Sequence, residues 1–167
     1  MVKVYQPPQP TFNAEGKKIF LAGSIEMGKA VEWQQKVIMD AQNTMKKYRG
    51  TLSIFNPRRD DWDSTWEQKI ENPHFFQQVT WELDRIKDSD AVLFYFQPGT
   101  QSPISLMELG EVKKKKDILV VCPDGFWRKG NVDIYCQRYN IRQFSDPEEA
   151  MTTFIYENFQ PAKTKYL

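Results

Sequence analysis

The chain has 167 residues, 40% of them hydrophobic and 27% charged, with a net charge of +1. That length suits one domain with a core built without metals or disulfides, and the near-zero charge excludes a global field drawing the chain to nucleic acid or a membrane. Two cysteines outside any CxxC pair, a single histidine and no long apolar run exclude a His-rich zinc site and a spanning helix, and fit a reducing, cytoplasmic setting.

Residues 1–16 carry Pro7, Pro8 and Pro10 and read as an irregular leader before a single domain over 17–160. Lys18-Ile19-Phe20-Leu21-Ala22 is a predicted strand, and Gly23-Ser24 a tight turn into a helix over about 26–48. Val31, Ile38 and Met45, with Trp33, Val37 and Ala41, give that helix one apolar face, and Gly50 ends it. Leu52-Ser53-Ile54-Phe55 is the second strand, closed by Asn56-Pro57. The polar, Trp-containing stretch 58–72 is too long for a simple connection, and such loops are usually functional.

A helix is predicted over about 73–87, with His74 in its first turn and read as structural. Ala91–Phe96 is the third strand, and Pro98-Gly99-Thr100 with Ser102-Pro103 opens a helix running to about 115. The run Lys113-Lys114-Lys115-Lys116 reads as cations at that helix C-terminus rather than a nucleic-acid patch. Ile118–Cys122 is the fourth strand, 131–139 a helix and Ile141–Phe144 a short fifth strand. Asp146-Pro147 caps a last helix to about Asn158, and 161–167 is a polar tail. Alternating strands and helices predict an α/β, flavodoxin/Rossmann-like three-layer sandwich with a five-stranded parallel sheet in the order 2-1-3-4-5.

In such a sheet, ligands bind beyond the C-terminal strand ends. Gly23-Ser24, Asn56-Pro57-Arg58-Arg59, the segment 97–108 and Pro123-Asp124-Gly125-Phe126 all map there. Glu108, wedged between Met107 and Leu109, stands out as a poorly solvated carboxylate and a candidate nucleophile or acid/base. Asp84 joins this group if its helix face turns to the same cleft. Gly23 suits close backbone approach to a ligand, and the following helix N-terminus suits polar or anionic groups. Ser102 and Ser105 are contacts to a sugar or ordinary helix caps. Arg58 and Arg59 either grip a ligand or pair with Asp60, Asp61 and Asp63. Trp62 and Trp66 either stack on a base or bury the loop.

Leu21-Ala22-Gly23-Ser24-Ile25, Asn56-Pro57-Arg58-Arg59-Asp60-Asp61-Trp62, Gln78-Val79-Thr80-Trp81-Glu82-Leu83 and Ser102–Gly110 together resemble the nucleoside 2-deoxyribosyltransferase-like family, related to 2'-deoxynucleoside 5'-monophosphate N-glycosidases. The resemblance runs from about residue 18 to 145. It implies a cytoplasmic enzyme of nucleotide salvage that moves 2-deoxyribose between nucleobases through a covalent glycosyl intermediate on Glu108. Asp84, at the family's spacing, is implied as the residue that protonates the departing base. Gly23, Ser24, Asn56, Arg58, Trp62, Ser102 and Asn131 are the implied substrate contacts. No metal and no organic cofactor is expected, since carboxylates stabilise a sugar-cation-like transition state.

The expected partners are a nucleoside or nucleotide and a free base, with neither nucleic acid nor membrane. A homo-oligomer is implied, with Phe126–Asn131 reaching a neighbour's site and Phe126 and Trp127 exposed at the contact. Two departures stand out. Phe20 occupies a place where relatives often have Tyr, and Glu26 follows Ile25 where the nucleotide hydrolases carry a basic residue. Hydrolysis of the same bond, and a non-catalytic nucleotide-sensing module on the same fold, are the alternatives. An electron carrier is disfavoured, because no Ser/Thr-rich phosphate cradle follows the first strand.

Overall fold

A computed structural model describes residues 1–25, 32–59, 61–112 and 116–162. In chain order the elements are β1 (Val2–Tyr5), β2 (Lys17–Gly23), α1 (Trp33–Met45), β3 (Tyr48–Arg49), β4 (Leu52–Phe55), α2 (Pro73–Asp88), β5 (Ala91–Tyr95), α3 (Pro103–Val112), β6 (Asp117–Val121), α4 (Lys129–Tyr139), β7 (Arg142–Phe144), α5 (Pro147–Asn158) and β8 (Gln160–Pro161). Glu26, Val31, Asp60 and Lys113–Lys115, which the sequence reading used, lie outside the described residues, as does 163–167.

The main sheet is parallel, in the order β1-β4-β2-β5-β6-β7. The predicted order 2-1-3-4-5 holds for β4-β2-β5-β6-β7, and β1 adds a sixth strand beside β4 at one edge. The leader is therefore not irregular throughout. Val2–Tyr5 runs beside Leu52–Phe55, and the prolines begin only after Tyr5, where no further ladder bond is needed. Chain direction across the sheet reverses between β2 and β5, so their C-terminal ends flank the crevice where such folds bind ligands.

Side chains alternate across each strand, because successive Cβ atoms point to opposite faces. Phe20, Ala22, Val92, Phe94, Phe96, Ile118 and Val120 face one layer with Trp81 and Ile86 of α2, Leu109 and Val112 of α3, and Val132 and Cys136 of α4. Ile19, Leu21, Leu93, Leu119 and Val121 face the other, against α1 and α5. Phe20, which stands where relatives often carry Tyr, is 1% exposed in the first of these layers.

Local chemistry sets the helix ends. Asn72 accepts from the His74 and Phe75 amides at 3.1 Å each and Pro73 takes the first helical position of α2. Asp146 accepts from the Glu149 amide at 2.8 Å for α5. Lys116 caps a helix, though not its own: its ammonium donates to the Lys87 carbonyl at 2.7 Å and to the Ser89 carbonyl at the end of α2. The helix predicted to 48 ends at Met45, because Tyr48–Arg49 pairs antiparallel with Gln160–Pro161 instead.

The N-terminal segment braces the region that later carries the candidate site. Tyr5 is buried against Phe55, ring centroids 5.9 Å apart. The Gln6 side-chain amide donates to the Arg58 carbonyl at 2.8 Å, and the Trp81 indole N–H donates to the Gln9 carbonyl at 2.9 Å. Deleting residues 1–15 should uncover Phe55, orphan the Trp81 donor and lower stability by roughly 3 kcal/mol or more, read from the urea midpoint.

Candidate active site

The site begins at the reversal point. Gly23 ends β2 with φ of 149°, and a Cβ there would lie 2.4 Å from the Tyr95 carbonyl oxygen. Glycine is required by the close approach of β5, which is a reason independent of any ligand. Ser24 follows, 1% exposed, with its amide donating to the Tyr95 carbonyl at 3.1 Å.

Ser24 meets two hydroxyls delivered by the loop after β5. Its oxygen lies 2.6 Å from Thr100 Oγ1 and 2.5 Å from Ser102 Oγ, and it accepts from the Gln97 amide at 3.1 Å. Thr100 donates its one proton to the Gln97 carbonyl at 2.7 Å. Ser24 must then donate to Thr100, and Ser102 to Ser24, because each hydroxyl carries a single proton. Ser102 holds φ of 47°, a left-handed conformation that costs a non-glycine residue on the order of 1 kcal/mol. Its carbonyl accepts from Leu106, starting α3.

Helix α3 aims Ser105, Glu108, Leu109 and Val112 inward. Glu108 is 8% exposed. Burial, and secondly the negative charge of Glu82, push its carboxyl up to about 8. Glu82 lies on α2 and is partly buried; poor solvation raises it to about 7, against a hydrogen bond from Gln78 that favours the charged form. These values belong to the pair, since the two charges interact. Among the described residues, Glu82 and Glu108 are the two carboxyls that poor solvation pushes up to about 7 and about 8.

Asp84 is not with them. Gln78, Trp81 and Ile86 define the buried face of α2, and Glu82 falls between them. Asp84 stands about 200° round the helix from Glu82 and is exposed. Asp84 was expected to turn toward Glu108; the structure places it exposed, on the side of α2 away from Glu82. The signal for Glu82 was present in the sequence as the spacing of Trp81 and Ile86.

The loop after β4 closes another side. Asn56 is buried, and its side-chain oxygen accepts from the Arg58 amide at 3.1 Å. Arg58 pairs with Glu32 at 3.2 Å. Arg59 is held by Asp61 in a two-pronged contact, 2.8 Å on each arm, and lies 5.0 Å from the Trp66 ring centre. Trp66 stacks on His74 at 4.9 Å and meets Trp62 edge-on at 5.2 Å. Both guanidinium groups are thus engaged in ion pairs, and both tryptophans in packing the loop.

On the far edge, Asn131 is exposed in the first turn of α4. Phe126 is 4% exposed and packs 5.1 Å from Phe96, which corrects its expected place at a surface. Trp127 is exposed, with Arg128 4.2 Å from its ring centre. Two open clefts, one beside Lys129, Asp133 and Gln143 and one beside Arg49, Asp90 and Asn158, include neither Glu82 nor Glu108. Among the described residues, no group of three or more His, Cys, Asp or Glu side chains is placed to hold a metal ion, and no helix is long and apolar enough to cross a membrane.

Comparisons with known proteins agree with this geometry at the level of family and fold. A family model described as "Nucleoside 2-deoxyribosyltransferase like" matches residues 16–126, more than half of the chain. Among curated proteins nothing matches. A solved structure, that of a conserved protein from Enterococcus faecalis V583, is similar with a TM-score of 0.60 at 13% identity, covering 84% of this chain and 98% of that one. At that identity the likeness is one of fold.

The carboxylate pair makes stability depend on pH with a definite sign. Both folded values lie above the ordinary 4.5, so the folded chain holds more protons than the unfolded one between about pH 4.5 and 8. Stability therefore falls as pH rises through that window, by an amount on the order of a few kcal/mol. Glu108→Gln should flatten the fall and exceed the wild type in urea midpoint at about pH 8.5.

Proposed function

The chain belongs to the nucleoside 2-deoxyribosyltransferase-like family, and on that premise we propose that it transfers 2-deoxyribose between nucleobases, with Glu108 as nucleophile and Glu82 as proton donor and acceptor. The observation that carries the reading is the pair of poorly solvated carboxylates on α2 and α3. Two such groups, one acting as nucleophile and one as proton donor and acceptor, are what double displacement at a sugar carbon requires.

In the first step the Glu108 carboxylate attacks the anomeric carbon. The bond from that carbon to the base nitrogen breaks, its electron pair leaves with the base, and the proton of Glu82 goes to the base. A glycosyl ester on Glu108 results. In the second step the nitrogen of an incoming base attacks the same carbon, Glu108 leaves as carboxylate, and the incoming base gives its proton to Glu82. Two inversions give net retention. With water in place of the second base the same steps end in hydrolysis.

The hydroxyl ring of Ser24, Thr100 and Ser102 lies at the start of the helix that carries Glu108, and Ser102 holds a strained backbone there. That placement supports a role in seating the sugar, beside Gly23 and Asn56. Arg58 and Arg59 already face Glu32 and Asp61. Neutralised guanidiniums favour an unphosphorylated nucleoside over a 5'-monophosphate. Trp62 is left as the wall of the loop on the base side.

A second copy of the chain completes the site in this reading. Phe76 and Leu83 on α2, with Ile104 and Met107 on α3, are each more than half exposed, on the two helices that hold the carboxylates. They offer on the order of 400 Å² of apolar surface per copy, about half of what one side of a standard interface buries. In that reading a neighbour, with Asn131 as its candidate contact, supplies a wall over the carboxylates.

Purified protein, given deoxynucleosides with and without a second free base, should form a new nucleoside only when the base is added. Glu108→Ala should lower kcat/KM by about 10³-fold or more, Glu82→Gln by roughly 10²-fold, and Asp84→Asn by less than about threefold. Wild-type kcat/KM should peak between about pH 7 and 8, where the pair holds one proton; the higher value of Glu108 keeps that proton on Glu108 in most molecules, and the minority form with it on Glu82 is the one that reacts. Full activity in Glu108→Ala would overturn the reading. A Leu83→Lys, Met107→Lys variant should sediment as a monomer and lose activity in parallel.

A further inference from the structure

We infer that Gln78 is the positioning residue of the carboxylate pair, holding one oxygen of Glu82 as a permanent acceptor so that any proton Glu82 carries is confined to its other oxygen. Gln78 lies one helical turn before Glu82 on α2 and is 5% exposed. Its Nε2 donates to the Pro57 carbonyl at 2.9 Å and to Glu82 Oε1 at 2.6 Å.

The orientation of the amide follows from chemistry. The Pro57 carbonyl can only accept, so the nitrogen of Gln78, not its oxygen, must face it. The two amide protons are then both used, one on Pro57 and one on Glu82. An oxygen that accepts from a buried amide does not also carry a proton on that side. Glu82 is thereby fixed as a directional acid: any proton it holds sits on Oε2. The amide bond also favours the charged form of Glu82, and so opposes the effect of its burial.

Three arginines, on α2 and in the loop after β4, each hold an ion pair with a carboxylate other than Glu82. Arg85 on α2 pairs with Asp88, Arg58 after β4 with Glu32, and Arg59 with Asp61. Glu108 on α3 is the titratable group that responds to Glu82. Gln78 is accordingly the neutral contact that sets the balance within the pair. The Pro57 bond adds a mechanical link, since it ties α2 to the end of β4, where Asn56 fixes the loop.

This assignment rests on the reading of Glu82 as the proton donor, but its first test does not. Carboxyl carbons of glutamate, labelled with ¹³C, are titrated by NMR in the free wild type, in Gln78→Met, which keeps the side-chain volume, and in Gln78→Asn, which withdraws the amide by one methylene. The midpoint assigned to Glu82 should rise by about one pH unit in both variants. An unchanged Glu82 midpoint in either folded variant overturns the proposal. In turnover, the pH profile of kcat/KM should move to higher pH while KM changes less than about twofold; a uniform loss without movement of the profile would mark a structural role and also overturn it. A shifted Glu82 midpoint in a protein that turns over no nucleoside would leave Gln78 in place and remove the transferase reading instead.

Discussion

Two carboxylates that share one poorly solvated place set the terms for the rest of this molecule. Glu108 is buried, and the charge of Glu82 adds to the cost of ionising it. Two unit charges in such a setting repel strongly, and a fold that only sought stability would replace one of them. The chain instead supports the pair from several sides. Gln78 binds Glu82, the hydroxyl ring of Ser24, Thr100 and Ser102 steadies the start of α3, and the N-terminal segment holds Trp81 and the Arg58 backbone.

The sheet explains why these supports meet. Strands β2 and β5 lie side by side, and the chain order reverses between them. Their C-terminal ends therefore open where no crossing connection covers them. Gly23 brings the two backbones to within a distance that no side chain would tolerate. Ser24 can then meet the loop after β5, and that loop leads directly into α3. Helix α2 enters from the other side of β5, with its buried stripe against the sheet. Residues 1–15 lie outside the span matched by the family model, yet they pair with β4 and brace α2. This edge strand, outside the matched span, touches the supports of the site.

Much of this was legible in the sequence, for identifiable reasons. Alternating apolar runs and helical stretches impose a parallel sheet, and the order of β4, β2, β5, β6 and β7 followed from that rule. Asp146-Pro147 and Asn72-Pro73 marked helix starts because side-chain acceptors and proline suit those positions. Glu108 was conspicuous as a carboxylate between apolar neighbours. Asp84 was named on the family's spacing to Glu108, whereas the phase of α2 depends on Trp81, Ile86 and the polar but buried Gln78. A buried glutamine conceals an apolar stripe from any hydropathy reading. Strand β1 escaped notice because four residues beside a proline-rich stretch carry little period. Phe126 read as a surface aromatic because its loop context outweighed its apolar character, and only the packing on Phe96 shows it as core.

The account turns on a covalent bond between Glu108 and the sugar. The direct measurement is intact-protein and peptide mass spectrometry after incubation with a 2'-fluoro-2'-deoxynucleoside, whose electron-poor sugar slows breakdown of a glycosyl ester more than the chain can compensate. The account predicts the mass of one fluorinated sugar added per chain, located on the peptide that spans Pro103–Val112 and on Glu108 within it, and released when a free base is added. A chain that converts deoxynucleosides yet carries no adduct, or an adduct on a residue other than Glu108, would contradict it.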